Sequence, residues 1–290
     1  VPSPPAGAHA AEASRSWRPP VAGIEEVLHA SFTEHAYPRH SHDSWTVLIL
    51  DAGQVRYELD RHQRAADTRH VTVLPPFVAH DGRTARAGRG FTKRVLYLDT
   101  DTIGGELLGR AVDESSLADA VLRRAVARVH DLVLGPPDLL AATSALALVA
   151  ERITGHLAAG QPEGGQRRPP SSSDAAEALR ARLDADLAAE HDLATLAGEL
   201  GWSATHLIRS FTDAYGLPPH RYLVSRRIAE ARRQLLVGVP VATVAAAVGF
   251  YDQAHLHRHF RRHVGTTPGR FQRTSARASN VSSGGPLRLA

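Results

Sequence analysis

The stretch GFYDQAHLHRHFRRHVG, from Gly249 to Gly265, places four histidines within the nine residues from His255 to His263. His255, His259 and His263 recur at every fourth position, a spacing that on a helix can present imidazoles to a transition metal. The same stretch carries Arg258, Arg261 and Arg262, which suit a phosphate backbone or a guanine edge. Helix geometry separates the two chemistries. With Leu256 at the centre of a buried face, Phe260 and Val264 follow on the same stripe. At ~100° per residue, Arg258 then comes out roughly opposite, with Arg261 and Arg262 close to it. His255, His259 and His263 run down one flank of the stripe and His257 lies on the other. No carboxylate stands at a matching position to complete a metal shell. The segment reads as a nucleic-acid-binding helix, and no metal ligand is assigned in it.

A second group of histidines lies near the N-terminus: His40-Ser41-His42, with Trp45 just beyond, and His80 a few residues after Pro75-Pro76. Two or three imidazoles can line a small-molecule pocket, hold a metal, or serve the structure alone. Catalysis would require a complete open coordination shell.

Positioning these residues takes more than one domain, and 290 residues allow two, each with its own core. A hydrophobic fraction of 43% with 22% charge is that of a globular chain. The longest apolar runs, such as residues 143–150, fall far short of a membrane span. The first residues, VPSPPAGAHAAEASRSW, lack a basic cluster followed by an apolar core, and read as a disordered tail on a cytosolic protein rather than a signal peptide. There is no cysteine, which excludes disulfides, thiolate zinc sites and a cysteine nucleophile. Net charge is only +4, but residues 203–275 carry eleven arginines against Asp213, Glu230 and Asp252. That asymmetry points to a polyanionic partner for the C-terminal third. Lys93 is the sole lysine, so the use of arginine is partly a habit of this sequence.

The segment GQPEGGQRRPPSSS (residues 160–173) has linker composition and divides the chain. Before it, residues 24–99 read as short strands with Gly/Pro punctuation, as in a small barrel or sandwich. TVLILD and VRYEL flank Ala52-Gly53-Gln54 as the arms of a hairpin would. Residues 117–134 and 138–157 then carry apolar side chains at helical spacing (Leu122, Val126, Val129, Val133). They form a helical hairpin whose stripe covers the barrel or pairs with a second copy.

After the linker the chain repeats itself. LATLAGELGW at Leu193–Trp202 returns as VATVAAAVGF at Val241–Phe250, and His206, Leu207, Arg209, Phe211, Gly216 and Pro219 return as His255, Leu256, Arg258, Phe260, Gly265 and Pro268. Each copy reads as a short Ala-rich helix, a turn with glycine, and an amphipathic helix capped by Ser203 or Asp252, which is a helix-turn-helix. A longer helix over residues 219–237 separates the copies.

These motifs, LGWSATHLIRSF and YGLPPHRYLVSRRIAEARRQLL followed by VAAAVGFYDQAHLHRHFRRHVGTTPGRF, resemble the AraC/XylS transcription regulators over roughly a hundred residues. Gly249-Phe250, Asp252-Gln253, Phe260, Arg261, Gly265 and Thr267-Pro268 match the signature best. Upstream, EHAYPRHSHDSWTVLILDAGQVRYEL and LPPFVAHDG resemble the cupin-like sensor domain often joined to it. The resemblance implies an α+β multidomain chain, with a cupin-like β-barrel and helical hairpin followed by an all-α double helix-turn-helix domain. The expected division is a tail (1–22), an effector-sensing barrel (23–103), a dimerisation hairpin (104–159), the linker (160–173), the DNA-binding domain (174–275) and a second tail (276–290). It implies Ser203, Thr205, His206 and Arg209, and Gln253, Ala254, His257, Arg258, Arg261 and Arg262, as DNA-facing positions, any base contact of Ala254 being apolar. His40, His42, Trp45 and His80 are the expected effector-binding residues. No catalytic residue, metal or cofactor is assigned. Cupin metalloenzymes add a glutamate shortly after the His-x-His pair, and Asp43-Ser44-Trp45-Thr46-Val47 contains none. A cupin metalloenzyme fused to a DNA-binding domain is the alternative. The expected partners are promoter DNA, a small-molecule effector, a second copy and, for an activator, RNA polymerase, in a cytoplasmic, nucleoid-associated protein whose sign of regulation, activator or repressor, the sequence leaves open.

Overall fold

The computed structural model describes residues 13–86, 88–135, 138–159 and 174–282, apart from the side chains of 276–282. The expected linker lies outside the described residues, as do 1–12 and 283–290. Ten strands and ten α-helices are found among the described residues. The strands are β1 (Ala13–Trp17), β2 (Ile24–Phe32), β3 (Ala36–His40), β4 (Trp45–Ala52), β5 (Val55–Leu59), β6 (His62–Ala66), β7 (Val71–Leu74), β8 (His80–Thr84), β9 (Phe91–Leu98) and, after helix α1 (Leu108–Asp113), β10 (Ser116–Leu117). They form two facing antiparallel sheets, one ordered β1-β2-β9-β4-β7-β10 and the other β3-β8-β5-β6.

Two sequence expectations are corrected here. The first tail gives way at Ala13 to β1, which pairs antiparallel with β2. Its Trp17 is buried, and the indole Nε1 donates to the carbonyl of Val133 at 2.9 Å. Burial of a large aromatic with a satisfied N–H is enough to order a short polar segment. The hairpin expected at Ala52-Gly53-Gln54 is instead a corner, because β4 lies in one sheet and β5 in the other. Gly53 turns it with φ 80° and passes so close to the 90–91 backbone that a Cβ would sit 2.3 Å from the carbonyl oxygen of Gly90.

Period-two alternation assigns the faces of the larger sheet. Trp45, Val47 and Ile49 of β4, with Leu96 and Leu98 of β9, face outward into a core with helices α2 (Ala120–Leu132) and α3 (Leu139–Ala159). Leu122, Val126, Val129 and Val133 all lie in this core, so the hairpin stripe covers the barrel. Leu28, Leu50, Phe91, Val95 and Tyr97 face the opposite way, into the space between the sheets.

The C-terminal part comprises α4 (Asp174–Ala185), α5 (Leu193–Leu200), α6 (Ala204–Tyr215), α7 (Pro219–Leu236), α8 (Val241–Ala247), α9 (Gln253–Val264) and α10 (Pro268–Ser282). The repeat appears as α5–α6 and α8–α9. Ser203 accepts from the His206 N–H and Asp252 from the His255 N–H, which are the expected N-caps. Each helix ends at a left-handed glycine, Gly216 or Gly265. Two cores form, one around Leu207, Phe211 and Tyr222, the other around Leu256, Phe260 and Phe271. Helix α10 runs to Ser282, into the segment expected to be a tail, with Phe271 anchoring it in the second core.

Candidate effector pocket and nucleic-acid surface

Between the sheets lies a cavity with about 730 Å³ of empty space, part of it open to solvent. Its body is apolar, with Leu28, Leu48, Val55, Phe91 and Val95 on the walls. Its polar groups are Tyr37, Tyr57, Tyr97, Thr46, Thr72, Asp81, Lys93, the histidines and Arg232. An apolar cavity with a small number of convergent polar groups is the general form of a small-molecule site.

The structure brings His40, His42 and His80 together, with one ring nitrogen of each within 4.8 Å of the others. His40 ends β3 and His80 begins β8, where the two strands pair directly, so register puts the rings side by side. Burial first, then neighbouring imidazoles, push His40 and His42 well below the ordinary histidine range. Burial pushes His80 down to about 4. All three are neutral at physiological pH. Trp45, the fourth expected effector residue, does not join them. It is fully buried on the outward face of β4 against the helices, while Thr46 and Leu48 take the pocket-facing positions. The sequence shows the alternation but not its phase, and a one-residue error reverses the face.

Lys93 was not expected here. It sits on the pocket face of β9, 9% exposed, with Nζ 4.3 Å from the centroid of the Tyr37 ring. Burial, then repulsion from Arg232, lowers its pKa to about 7. Among the described residues no carboxylate lies within ion-pair distance of it. Its singularity in an arginine-rich chain was the available signal.

The pocket is closed by the C-terminal domain. Arg232 of α7 and His263 and Val264 of α9 line it. Arg232 pairs with Glu26 of β2 at 2.7 Å, both side chains under 10% exposed, and its guanidinium lies 4.4 Å from the Tyr97 ring centroid. Burial opposes the charge, but Glu26 and Tyr97 overcome it and hold the Arg232 pKa above its ordinary value. Asp43 receives both Arg226 and Arg233 at 2.7 Å, and these arginines hold it below the usual carboxylate range despite its burial. Part of the basic excess read as polyanion-binding is therefore spent on docking the two domains. The ends of both recognition helices also touch the barrel. Arg39 Nε donates to the carbonyl of Gly216 at 3.0 Å. Gly265 packs so tightly on Phe32 that a Cβ would fall 2.7 Å from its ring. Phe77, in the loop between β7 and β8, adopts φ 64°. Its N–H donates to the carbonyl of His42 at 2.7 Å, and its ring lies beneath the guanidinium groups of Arg180 and Arg226.

The opposite side of the domain presents the other expected residues. Leu256, Phe260 and Val264 are buried, and Gln253, Ala254, His257, Arg258, Arg261 and Arg262 are exposed on α9. On α6, Leu207 and Phe211 are buried while Thr205, His206, Arg209 and the cap Ser203 are exposed. Tyr251, 93% exposed immediately before the cap of α9, extends the same surface. The histidine ladder is split: His255 and His259 pack against Phe250, and His263 turns to the pocket.

A barrel with a pocket closed by α7 and α9 of a domain that holds two helix-turn-helix units defines a sensor joined to a nucleic-acid-binding domain. Residues 23–150 match the AraC-like ligand binding domain and residues 196–274 a helix-turn-helix domain. The chain belongs to the AraC family of helix-turn-helix regulators. Among its relatives, the uncharacterised regulator YbfI of Bacillus subtilis is 36% identical over 87 residues, 30% of this chain and 32% of that protein. The probable transcription factor PqrA of Proteus vulgaris is 35% identical over 79 residues, 27% of this chain and 65% of that protein. The chain thus spans between about a third and two thirds of the length of these relatives. Crystal structures of ToxT from Vibrio cholerae share the fold across both domains. One has a TM-score of 0.58 at 11% identity, covering 91% of this chain and 97% of ToxT. Another, of ToxT bound to an unsaturated fatty acid, has a TM-score of 0.55 at 11% identity, covering 91% and 95%. Among the described residues, no helix is long and apolar enough to cross a membrane.

Proposed function

We propose that this chain is a sequence-specific regulator of transcription whose grip on promoter DNA is set by a small organic acid in the barrel pocket. The observation that carries this reading is the pocket's construction: its lid is part of the DNA-binding domain, through Arg232, His263 and Val264. A ligand that fits one docking arrangement better than another shifts the population of both. An acid is favoured because Lys93 offers a buried amine with no carboxylate within ion-pair distance among the described residues, Asp81 of the same lining included, beside apolar walls. The fatty acid bound to ToxT is a molecule of this kind.

In this reading residues 23–103 sense, 104–159 pair two copies through exposed Leu140, Leu148 and Val121, and 174–275 bind DNA. Arg209 and Arg258 face bases, with Ser203, Thr205, His206, Gln253, Ala254, His257, Arg261 and Arg262 around them. RNA polymerase is the further partner of an activator, and the cytoplasm its compartment. The metalloenzyme alternative gains nothing from the relatives, which are named as regulators. Asp43, the carboxylate nearest in sequence to the His-x-His pair, is held by Arg226 and Arg233.

The test is promoter binding by the full chain across a panel of fatty and aromatic acids. A ligand should change operator affinity. Lys93→Met should weaken that ligand about tenfold to a hundredfold, the worth of a charge-assisted hydrogen bond. Acids that bind equally well to Lys93→Met, or bind without altering DNA affinity, would overturn the reading.

A further inference from the structure

We propose that His40, His42 and His80 form a transition-metal site at the junction of the barrel and the DNA-binding domain, with His263 of the second recognition helix in reach of its fourth position.

The rings are spaced as ligands of one ion are, and with one nitrogen of each within 4.8 Å of the others a small side-chain rotation draws all three onto one point. The centroids are 4.8 Å apart for His40 and His42, 4.5 Å for His40 and His80, and 5.1 Å for His42 and His80. Two imidazoles on one tetrahedral ion with Zn–N near 2.0–2.1 Å put their centroids about 5 Å apart. The Nε2 atoms of His40 and His42 lie 3.2 Å apart, against about 3.3 Å for adjacent nitrogens of such a shell.

The outer contacts select the ligating atoms. His40 Nδ1 donates to the carbonyl of Pro38 at 2.7 Å, and His80 Nδ1 to that of Val78 at 3.0 Å. Each bond fixes the tautomer that leaves an Nε2 lone pair facing the cluster, the arrangement usual for metal-bound histidine. His40 and His80 are 7% and 4% exposed, so these lone pairs have little access to bulk water. His263 repeats the pattern. Its Nδ1 donates to the carbonyl of His259 at 2.8 Å, and its ring centroid stands 6.1 Å from that of His40.

All-imidazole ligation suits zinc, copper, nickel or iron and not magnesium or calcium. The local cations do not forbid it. Arg232 is neutralised by Glu26, and Lys93 would share an acidic effector with the ion. The metal proposal stands without that effector, because the ion alone is the probe. Its consequence is mechanical: an ion held by three barrel histidines and His263 would tie α9 to the barrel.

The experiment uses the full chain, purified without a histidine tag and stripped with chelator. Zn²⁺ should bind with one-to-one stoichiometry by calorimetry, and Co²⁺ should give the intense visible absorption of a tetrahedral site. His42→Ala and His80→Ala should each weaken binding by about 100-fold or more, beyond the ~10–100-fold that loss of an outer contact costs. His42→Gln and His80→Gln carry the same readout should the alanine variants fail to fold. His263→Ala should weaken binding and alter the Co²⁺ spectrum. No one-to-one binding overturns the site. Binding that survives at His42 and His80 but is lost on His255→Ala with His259→Ala places the ion on the helix ladder and also overturns it. An unchanged affinity and spectrum in His263→Ala removes the bridge between domains.

Discussion

Both recognition helices begin at a side-chain cap and end at a left-handed glycine, yet their far ends meet the barrel differently. At the end of α6, Arg39 reaches across to the Gly216 carbonyl, and Ala79 lies beside it. At the end of α9, Gly265 is pressed on Phe32, and His263 and Val264 form part of the pocket lining. The first unit rests on the rim of the sensor; the second closes it. A duplicated motif with side-chain caps, the same core pattern and an exposed arginine in each copy thus contributes only its second copy to the pocket. On the proposed reading, coupling between the domains needs no special element, only a pocket that borrows its lid.

The largest test of this asymmetry is Arg232→Ala. It leaves Glu26 buried without its partner, which should destabilise the chain by about 3–5 kcal/mol in denaturant unfolding. Arg39→Ala removes the contact to the first unit at part-exposed positions and should cost about 0.5–1.5 kcal/mol. Equal losses would show that α7 and the end of α6 are held to the barrel alike.

Acid sharpens the comparison between the barrel and the helical domain. His29 and His130 face each other at 3.1 Å between β2 and α2. Burial, then Arg94, lowers the His29 pKa to about 4, and burial, then His29, holds His130 well below its ordinary range. The unfolded chain protonates these rings near 6.5, so the stability they contribute is complete above that pH. It is lost as pH falls toward 4, by about 1.4 kcal/mol per unit for each ring. The helical cores contain no fully buried histidine among the described residues, and the histidines that burial lowers in that domain, His259 to about 4 and His263, sit half-buried on α9 rather than against α7's core. Hydrogen exchange at pH 7 and pH 5 should therefore show protection falling in β2 and β9 before α7. Simultaneous loss would mean the domains unfold as one.

The smallest effects concern the exposed faces. Arg209→Ala and Arg258→Ala should each weaken specific DNA binding by about 1–3 kcal/mol, relaxing preference at base steps one helical turn apart. Footprints that change at the same base pairs in both variants would break the two-unit reading.

Much of this was legible in the sequence because it is local. Caps, glycine stops and the four-residue stripe on α9 depend on neighbours within a turn or two, and the repeat displayed them twice. The convergence of His40, His42 and His80 was legible as a candidate because the residues are chemically alike and two of them form a His-x-His pair. What escaped depends on partners distant in the chain. Glu26 and Arg232 are 206 residues apart, and Asp43 and Arg233 are 190. Charges on α7 therefore read as a solvated or DNA-facing set. Trp45 was misplaced because alternation without register has no sign, and β1 was missed because its strength lies in one buried indole.

Phe77 adds stored strain to the docked form. A bulky side chain at φ 64° holds about 1–3 kcal/mol of backbone strain. Its peptide is tied to the His42 carbonyl, and its ring is pinned by two arginines of the helical domain. The docked form thus carries a compressed spring whose catch is the interface itself. Were the loop to relax once those arginines withdrew, the strain released would favour the undocked form by about 5- to 150-fold.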